Sequence, residues 1–361
     1  MSAPIFAPID LGEVRRRVDA ALAVHLVKRA DHLASLSDDL RPVGTALIEF
    51  CADGKRIRPL FAYCGWRAAG GGTDDSAVIS AVSGLELIQA AALVHDDIID
   101  ESDSRRGRPS AHRAFEALHL EGGFAGSAEK YGVAVAILLG DLALIWADAV
   151  VQGADLQDAA LLRVRRELDL MRIEVMAGQF LDVLEQARPA PPEHAVQSAL
   201  KVAALKSASY TVARPMLVGA AIAGAGDDIR ATFATFGHHI GVAFQLRDDL
   251  LGVYGDPAVT GKPAGDDLRE GKRTALVARA LDRLGDRGAA LNDALGDPAL
   301  SASDIERVRE LISSSGAADD VEQLIQEHTT TALAALEDVQ LEPTGRDALR
   351  SLAAAATSRS R

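Results

Sequence analysis

The chain has 361 residues, of which 25% are charged and 48% hydrophobic, with a formal net charge of −14 at pH 7 and two cysteines. The acidic balance excludes a nucleic-acid surface, which needs clustered excess Lys and Arg. Two cysteines exclude a disulfide framework, and Met1–Leu11 lacks a basic export start while no long uninterrupted apolar span stands out, so a cytoplasmic protein without membrane insertion is expected.

Aromatic residues are scarce at 4%, and β-branched alternation is nearly absent. Apolar residues instead recur at the helical period, which predicts one all-α domain over 1–361 with tails fraying at about 1–10 and 357–361. Helices are predicted at about 11–36, 40–50, 57–70, 76–102, 131–151, 156–185, 194–222, 227–253, 273–293, 303–314, 318–339 and 343–356. Ser303-Asp304-Ile305-Glu306 reads as a capping box. Cys51 and Cys64 read as helix core residues.

Polar chemistry interrupts this pattern at five places. Gly54-Lys55-Arg56-Ile57-Arg58-Pro59 opens a helix, where the helix N-terminus and the cations favour an anion. Asp96-Asp97-Ile98-Ile99-Asp100 ends an apolar helical run and is followed by Arg105 and Arg106. Asp96 and Asp100 project from one helix face about 6 Å apart. Hard carboxylate oxygens at that spacing suit Mg²⁺, and the arginines suit phosphate. Lys206 stands in a small apolar stretch, where a charge is out of place. Asp248-Asp249 again ends an apolar run, Phe233–Phe244. Gly261–Thr274 is a glycine-punctuated loop carrying Lys262 and Lys272. Two acidic sites with these cations predict two diphosphates, one bridged by metal and one held by Lys and Arg alone. Metal would neutralise the charge that develops as a C–O bond breaks.

In its motifs the chain resembles the trans-isoprenyl diphosphate synthases, or polyprenyl synthetases. The segments, in order, are GKRIRP, LVHDDIIDESDSRRGRP, LLGDLAL, GQFLD, LKSASY, GVAFQLRDDLLG and GKPAGDDLREGKRT, running from Gly54 to Thr274. The resemblance implies a single-domain antiparallel helix bundle around a deep central cavity, a homodimer, and about three Mg²⁺ ions per active site. It implies metal ligation by Asp96, Asp97, Asp100, Asp248 and Asp249. It places the metal-free isopentenyl diphosphate on Lys55, Arg58, Gln89 and Arg106. The allylic diphosphate falls to Arg105, Lys206, Ser207, Gln245, Lys262 and Lys272, with Gln179 and Asp182 nearby. Asp96, Asp100, Arg105, Lys206, Asp248 and Lys262 are the expected catalytic set. Ionisation would give an allylic carbocation, attacked by the double bond of isopentenyl diphosphate before a proton is lost. Water must be excluded, which makes Gly255–Lys272 the candidate closing loop.

The chain departs from the family at Gly252, where the second motif usually has a third aspartate. A weaker second metal site is expected, relieved by restoring the aspartate. Product length is read from Ala91 and Ala92, then Leu87 and Ile88, on the helix before Asp96, with Trp146 as a deeper wall. Two alanines in place of a bulky aromatic imply all-trans geranylgeranyl diphosphate (C20), with C15 or at least C25 as alternatives. A class I terpene cyclase and a non-catalytic partner subunit are the remaining readings. Lys55, Arg58 and the second Asp-Asp argue against the cyclase, and only Gly252 hints at the subunit. His95 reads as structural, His238 and His239 as helix surface or interface, and Asp169 and Glu174 as solvated or paired.

Overall fold

A computed structural model describes residues 7–188, 190–255, 265–297 and 299–358. The described residues are helical apart from connections and one two-residue ribbon, in which Ser104–Arg105 (β1) pairs antiparallel with Arg108–Pro109 (β2). They fall into two compact units. The first draws on Met1–Asp169, Pro215–Arg230 and Gln340–Leu349, the second on Leu170–Arg214, Ala231–Val339 and Arg350–Arg361.

In the first unit the helices are α1 (Leu11–Leu36), α2 (Arg41–Ala52), α3 (Ile57–Ala68), α4 (Ser76–Ser83), α5 (Leu85–Ile99), α6 (Ala111–Glu121) and α7 (Ala128–Gly153). α8 (Asp158–Ala187) begins here. The helix predicted over 76–102 is two helices. They divide at Gly84, where an added Cβ would press at 3.2 Å on both the Ala147 carbonyl and Val151 of α7. α5 buries Leu85, Leu87, Ile88, Ala91 and Val94, while Gln89, Ala92, Asp96 and Asp100 are less buried. Full burial of each large aliphatic stabilises the unit by about 1.5–3 kcal/mol, which fixes the rotation of α5 and hence where its carboxylates point. α6 and the ribbon are not among the predicted elements. The arginines, Gly107 and Pro109 read as loop, although His112, Phe115 and His119 are buried at helical spacing.

In the second unit, α9 (Pro192–Val202) runs into a π-helical segment, Ala203–Ala213; the helix that follows, α10 (Arg214–Ala223), belongs to the first unit from Pro215 onward. Helical periodicity predicts one helix over 194–222 and carries no trace of the π segment. α11 (Asp227–Tyr254) is followed by α12 (Asp266–Arg269), α13 (Ala275–Leu284), α14 (Ala289–Ala294), α15 (Ala302–Ser315), α16 (Ala317–Ala335) and α17 (Pro343–Thr357). The helix predicted over 273–293 breaks at Gly285, whose φ of 53° favours glycine. Leu246, Leu250 and Val253 of α11 share a core with Leu276 and Ala280 of α13, Ile305, Val308 and Ile312 of α15, and Val321 and Ile325 of α16. The capping box lies two residues before its expected place. Ser301 is the N-cap of α15 and Asp304 supplies the reciprocal carboxylate.

Two segments, Ser76–Ile99 and Ala128–Gly153, are long and apolar enough to cross a membrane, contrary to the sequence expectation. The first is 72% buried within the protein, as a core segment should be. The second is 39% buried and carries Asp141 and Asp148, which are costly in a bilayer core.

Candidate active site

α5 positions the first acidic group. Its last turn closes with the Asp100 N–H donating to the Asp96 carbonyl at 2.8 Å, and Glu101 then turns into left-handed backbone (φ 52°). Asp96 and Asp100 are half-buried, one turn apart on the same side of the helix. Asp97, one residue round, is fully buried. Its carboxylate accepts Arg105 Nε at 2.8 Å and also Arg105 Nη2, which stands 3.6 Å from Asp96 Oδ2. Asp97, expected as a metal ligand, is thus the buried partner of Arg105, whose Nη2 also comes near Asp96. Two carboxylates on one helix side, beside a guanidinium suited to phosphate, fit a divalent cation bridged to diphosphate. His95 occupies a notch on α7. A Cβ on Gly140 would overlap its ring, and its Nε2 lies 3.2 Å from the Ile137 carbonyl.

At the other end of α5 the predicted metal-free group comes together. Arg58 Nη1 donates to Gln89 Oε1, and Arg106 Nη1 donates at 2.7 Å to the Asp53 carbonyl, two residues before Lys55. Lys55 is exposed and Arg58 buried. Burial lowers the Arg106 pKa, opposed by the Glu86 carboxylate and reinforced by Arg56 and Arg105. A cation held against such desolvation is poised for an anion.

In the second unit Lys206 lies in the π-helical segment and its Nζ donates to Asp182 Oδ2 at 2.6 Å. Gln179, one turn before Asp182 on α8, has a buried amide nitrogen with no hydrogen-bond partner among the described residues. Immediately before Gln179 stands Gly178, where any Cβ would overlap the Lys206 backbone. Gly237 and Gly241 of α11 meet the Ala213 and Ala208 backbones in the same way. Three glycines thus admit a backbone geometry that is rare and concentrated at functional sites. Ser207 follows Lys206, half-buried. Glu174 accepts Ser209 and Arg214, which hold its pKa below the usual range against desolvation.

The second acidic group ends α11. Asp248 is half-buried, alongside Gln245 and Gly252 at helical spacing, while Asp249 is buried and accepts Gln245 Nε2 at 2.7 Å. Burial pushes the Asp249 pKa up to about 7, with Asp267 and Asp248 adding repulsion. Asp267 explains Gly252. A Cβ at Gly252 would overlap Asp267 Oδ2, so a carboxylate from α12 occupies the space the expected aspartate would fill. Gly252→Asp would therefore put a further carboxylate in the space beside Asp267. That variant should leave the Mg²⁺ concentration for half-maximal rate unchanged or raised, read by metal titration of the steady-state rate. Lys272, assigned to the allylic diphosphate, pairs with Glu270 and lies 3.8 Å from Asp267 Oδ1. Lys262 lies outside the described residues, as do residues 256–264 of the candidate closing loop.

The raised pKa has a thermodynamic consequence. Asp249 has a folded pKa above the ordinary aspartate value of 3.8, so its contribution to stability is full below about 4 and is lost as pH rises through about 7. In EDTA the melting temperature should fall across that window more steeply in the parent than in Asp249→Asn. Added Mg²⁺ should restore it at pH 8. Equal slopes in parent and variant by thermal denaturation would remove Asp249 as the titrating group.

The alanines before the first motif separate. Ala92 shares the Asp96 side of α5, whereas Ala91 is 1% exposed, with Leu87 and Ile88 equally closed in; Trp146 is 6% exposed. At about 100° per residue, Ala91 sits roughly 140° round from Asp96. Of the two alanines expected to face the growing tail, Ala92 is the one on the Asp96 side of the helix. Sequence reasoning also missed the clustering of His238 and His239 with His328, whose Nδ1 lies 2.9 Å from that of His239. Burial and the neighbouring imidazoles hold His328 near a pKa of about 4. Among the described residues no group of three or more His, Cys, Asp or Glu is arranged as a ready-made metal cage.

Comparison with known proteins bears on these groups together. The polyprenyl synthetase family model matches residues 42–312. The chain is 35% identical over 293 residues to a geranylgeranyl diphosphate synthase of Mycobacterium tuberculosis, covering 81% of this chain and 77% of that protein. It is 34% identical to a geranylfarnesyl diphosphate synthase of Aeropyrum pernix, covering 80% and 84%. A crystal structure of geranylgeranyl pyrophosphate synthase from Corynebacterium glutamicum, complexed with isoprenyl diphosphate and magnesium, superposes with a TM-score of 0.93 at 43% identity, covering 98% of this chain and 100% of that one.

Proposed function

Since the chain belongs to the polyprenyl synthetase family and is a prenyltransferase, we propose that it condenses isopentenyl diphosphate head-to-tail with an allylic diphosphate to give all-trans geranylgeranyl diphosphate. The observation that carries this reading is the division of charge along α5. Asp96 and Asp100 stand at one end, and Arg58, Gln89 and Arg106 gather near the other. An acidic pole suits a metal-bridged diphosphate and a cationic pole a metal-free one, which is the requirement for two diphosphate substrates.

In this reading Asp96, Asp100 and Asp248 hold Mg²⁺ on the allylic diphosphate, with Asp249 and Asp267 next to Asp248. Mg²⁺ there would neutralise the leaving group. Arg105, aimed by Asp97, and Lys206, set by Asp182, add positive charge to the same diphosphate, joined by Lys262. Ser207 and Gln245 flank the reacting carbon. Lys55, Arg58, Gln89 and Arg106 hold isopentenyl diphosphate, whose double bond attacks the allylic carbon as its C–O bond breaks. A proton then leaves the new carbocation, giving the product alkene and diphosphate. The apolar residues Ile137, Leu138 and Ile145, exposed on α7, support a homodimer.

Incubation with isopentenyl diphosphate and C5, C10 or C15 primers, followed by chromatography of the dephosphorylated products, tests the reading. C20 alcohol from each primer is expected. A cyclic hydrocarbon would mean a cyclase, and no product a modulating subunit. Ala92 sits one turn, about 6 Å, from Asp96 on its own side of the helix. Ala92→Phe should shift the product toward C15 with the first condensation rate nearly unchanged. An unchanged C20 product would place the tail elsewhere.

A further inference from the structure

Between Lys55 and Arg58 stands a third cation that points the other way. Arg56 is the N-cap of α3 and adopts left-handed backbone (φ 53°), a conformation uncommon outside glycine. This turns its side chain inward, to 4% exposure, while Lys55 stays exposed. The guanidinium is enclosed. Nη1 donates to Glu86 Oε2 at 2.9 Å and to the Asp53 carbonyl at 3.2 Å. Nη2 donates to the Cys51 carbonyl at 2.6 Å and more weakly to that of Ala52, and Nε donates to Asp19 at 2.5 Å. Three successive carbonyls of one turn therefore converge on one side chain.

Its partner Glu86 is 5% exposed and lies on α5, one turn before Gln89, which accepts Arg58. The Asp53 carbonyl that Arg56 holds also accepts Arg106. Gly54 leaves the room required, since a Cβ there would sit 2.8 Å from Arg56 Nη1. Arg56 and Glu86 thus connect to the surroundings of Lys55, Arg58, Gln89 and Arg106, without being required to touch a ligand.

We infer that the buried Arg56–Glu86 pair is the positioning element of the metal-free diphosphate site, fixing the 51–54 turn to α5 so that its cations converge on one diphosphate. The inference rests on the proposed binding of isopentenyl diphosphate at these cations. A guanidinium that spreads its donors over two carboxylates and three carbonyls is not replaceable by an ammonium, even though the charge is kept. A small misplacement of binding groups is costly.

The test uses Arg56→Lys, which keeps a cation opposite Glu86, together with Glu86→Gln, Asp19→Asn and Arg58→Ala in the full-length enzyme. Thermal melting first identifies the folded variants. Arg56→Lys and Glu86→Gln should raise KM for isopentenyl diphosphate by about tenfold or more, with KM for the allylic primer and kcat held within about twofold. Calorimetric binding of isopentenyl diphosphate in EDTA should weaken in parallel. Should Glu86→Gln not fold, Arg56→Lys and the solvent-side Asp19→Asn carry the comparison, the latter with a smaller effect in the same direction. A folded Arg56→Lys with parental KM and calorimetric affinity would overturn the inference, as would equal changes in both KM values and kcat. If Arg58→Ala also leaves isopentenyl diphosphate binding untouched, the assignment of the site itself fails. If Arg58→Ala alone weakens binding, only the positioning role fails.

Discussion

Asp96→Ala is expected to lower turnover by about 10³-fold or more, while leaving the protein folded. The carboxylate is half-buried on α5 and is no part of the apolar core formed by Leu87, Ile88, Ala91 and Val94. Its removal takes away one of the two carboxylates offered to metal at that helix end, and with it stabilisation of the departing diphosphate. Asp97→Ala should behave differently. That carboxylate is fully buried against Arg105, so its loss leaves a guanidinium without its main partner and a hole beneath it. Melting temperature should fall together with activity, because breaking a buried pair from one side is strongly destabilising. The comparison separates ligand from anchor. EDTA should abolish the parental rate and Mg²⁺ restore it. Parental turnover in EDTA, or an Asp96→Ala enzyme within tenfold of the parent, would sink the metal-assisted ionisation.

Much of this was legible in the sequence because charge is conspicuous in an apolar helix. Asp96, Asp100, Asp248, Lys206 and the Lys55–Arg58 cations each interrupt a run that otherwise reads as core. Arg58 and Gln89, far apart in sequence, do meet. The separation of Asp97 from Asp96 was in principle readable too, since adjacent helix residues differ by about 100° in direction. Gly252 was not. Its meaning depends on Asp267, which arrives from a later helix and takes the space of the missing side chain. Nor was the inward turn of Arg56, which follows from left-handed backbone that no local propensity announces. The two units also lay beyond periodicity, because each is assembled from separated parts of the chain.

The π-helical segment shows the same limit and gives the second large effect. Ala203–Ala213 reads as ordinary helix in sequence, being rich in alanine and free of proline. What holds it is contact with backbone on two sides. Gly178 of α8 abuts the Lys206 backbone, and Gly237 and Gly241 of α11 abut Ala213 and Ala208. At Gly178 the overlapping atoms are main chain, which cannot swing away as a side-chain tip would. Gly178→Ala must therefore push the segment off α8, and overpacking of this kind costs about 1–3 kcal/mol of stability. The displaced residue is Lys206, whose ammonium is set by Asp182 at 2.6 Å. A shift near 1 Å at a substrate-positioning group costs on the order of 10²-fold in rate. Gly178→Ala should thus lose about 10²-fold in kcat with only a modest fall in melting temperature, and KM for isopentenyl diphosphate should hold. Gly153→Ala, at a position where an added Cβ meets nothing within 4 Å, is the control and should change neither. A Gly178→Ala enzyme with parental kcat would show that the π segment can move without carrying Lys206 away from its substrate, and would leave the three glycines a packing role alone.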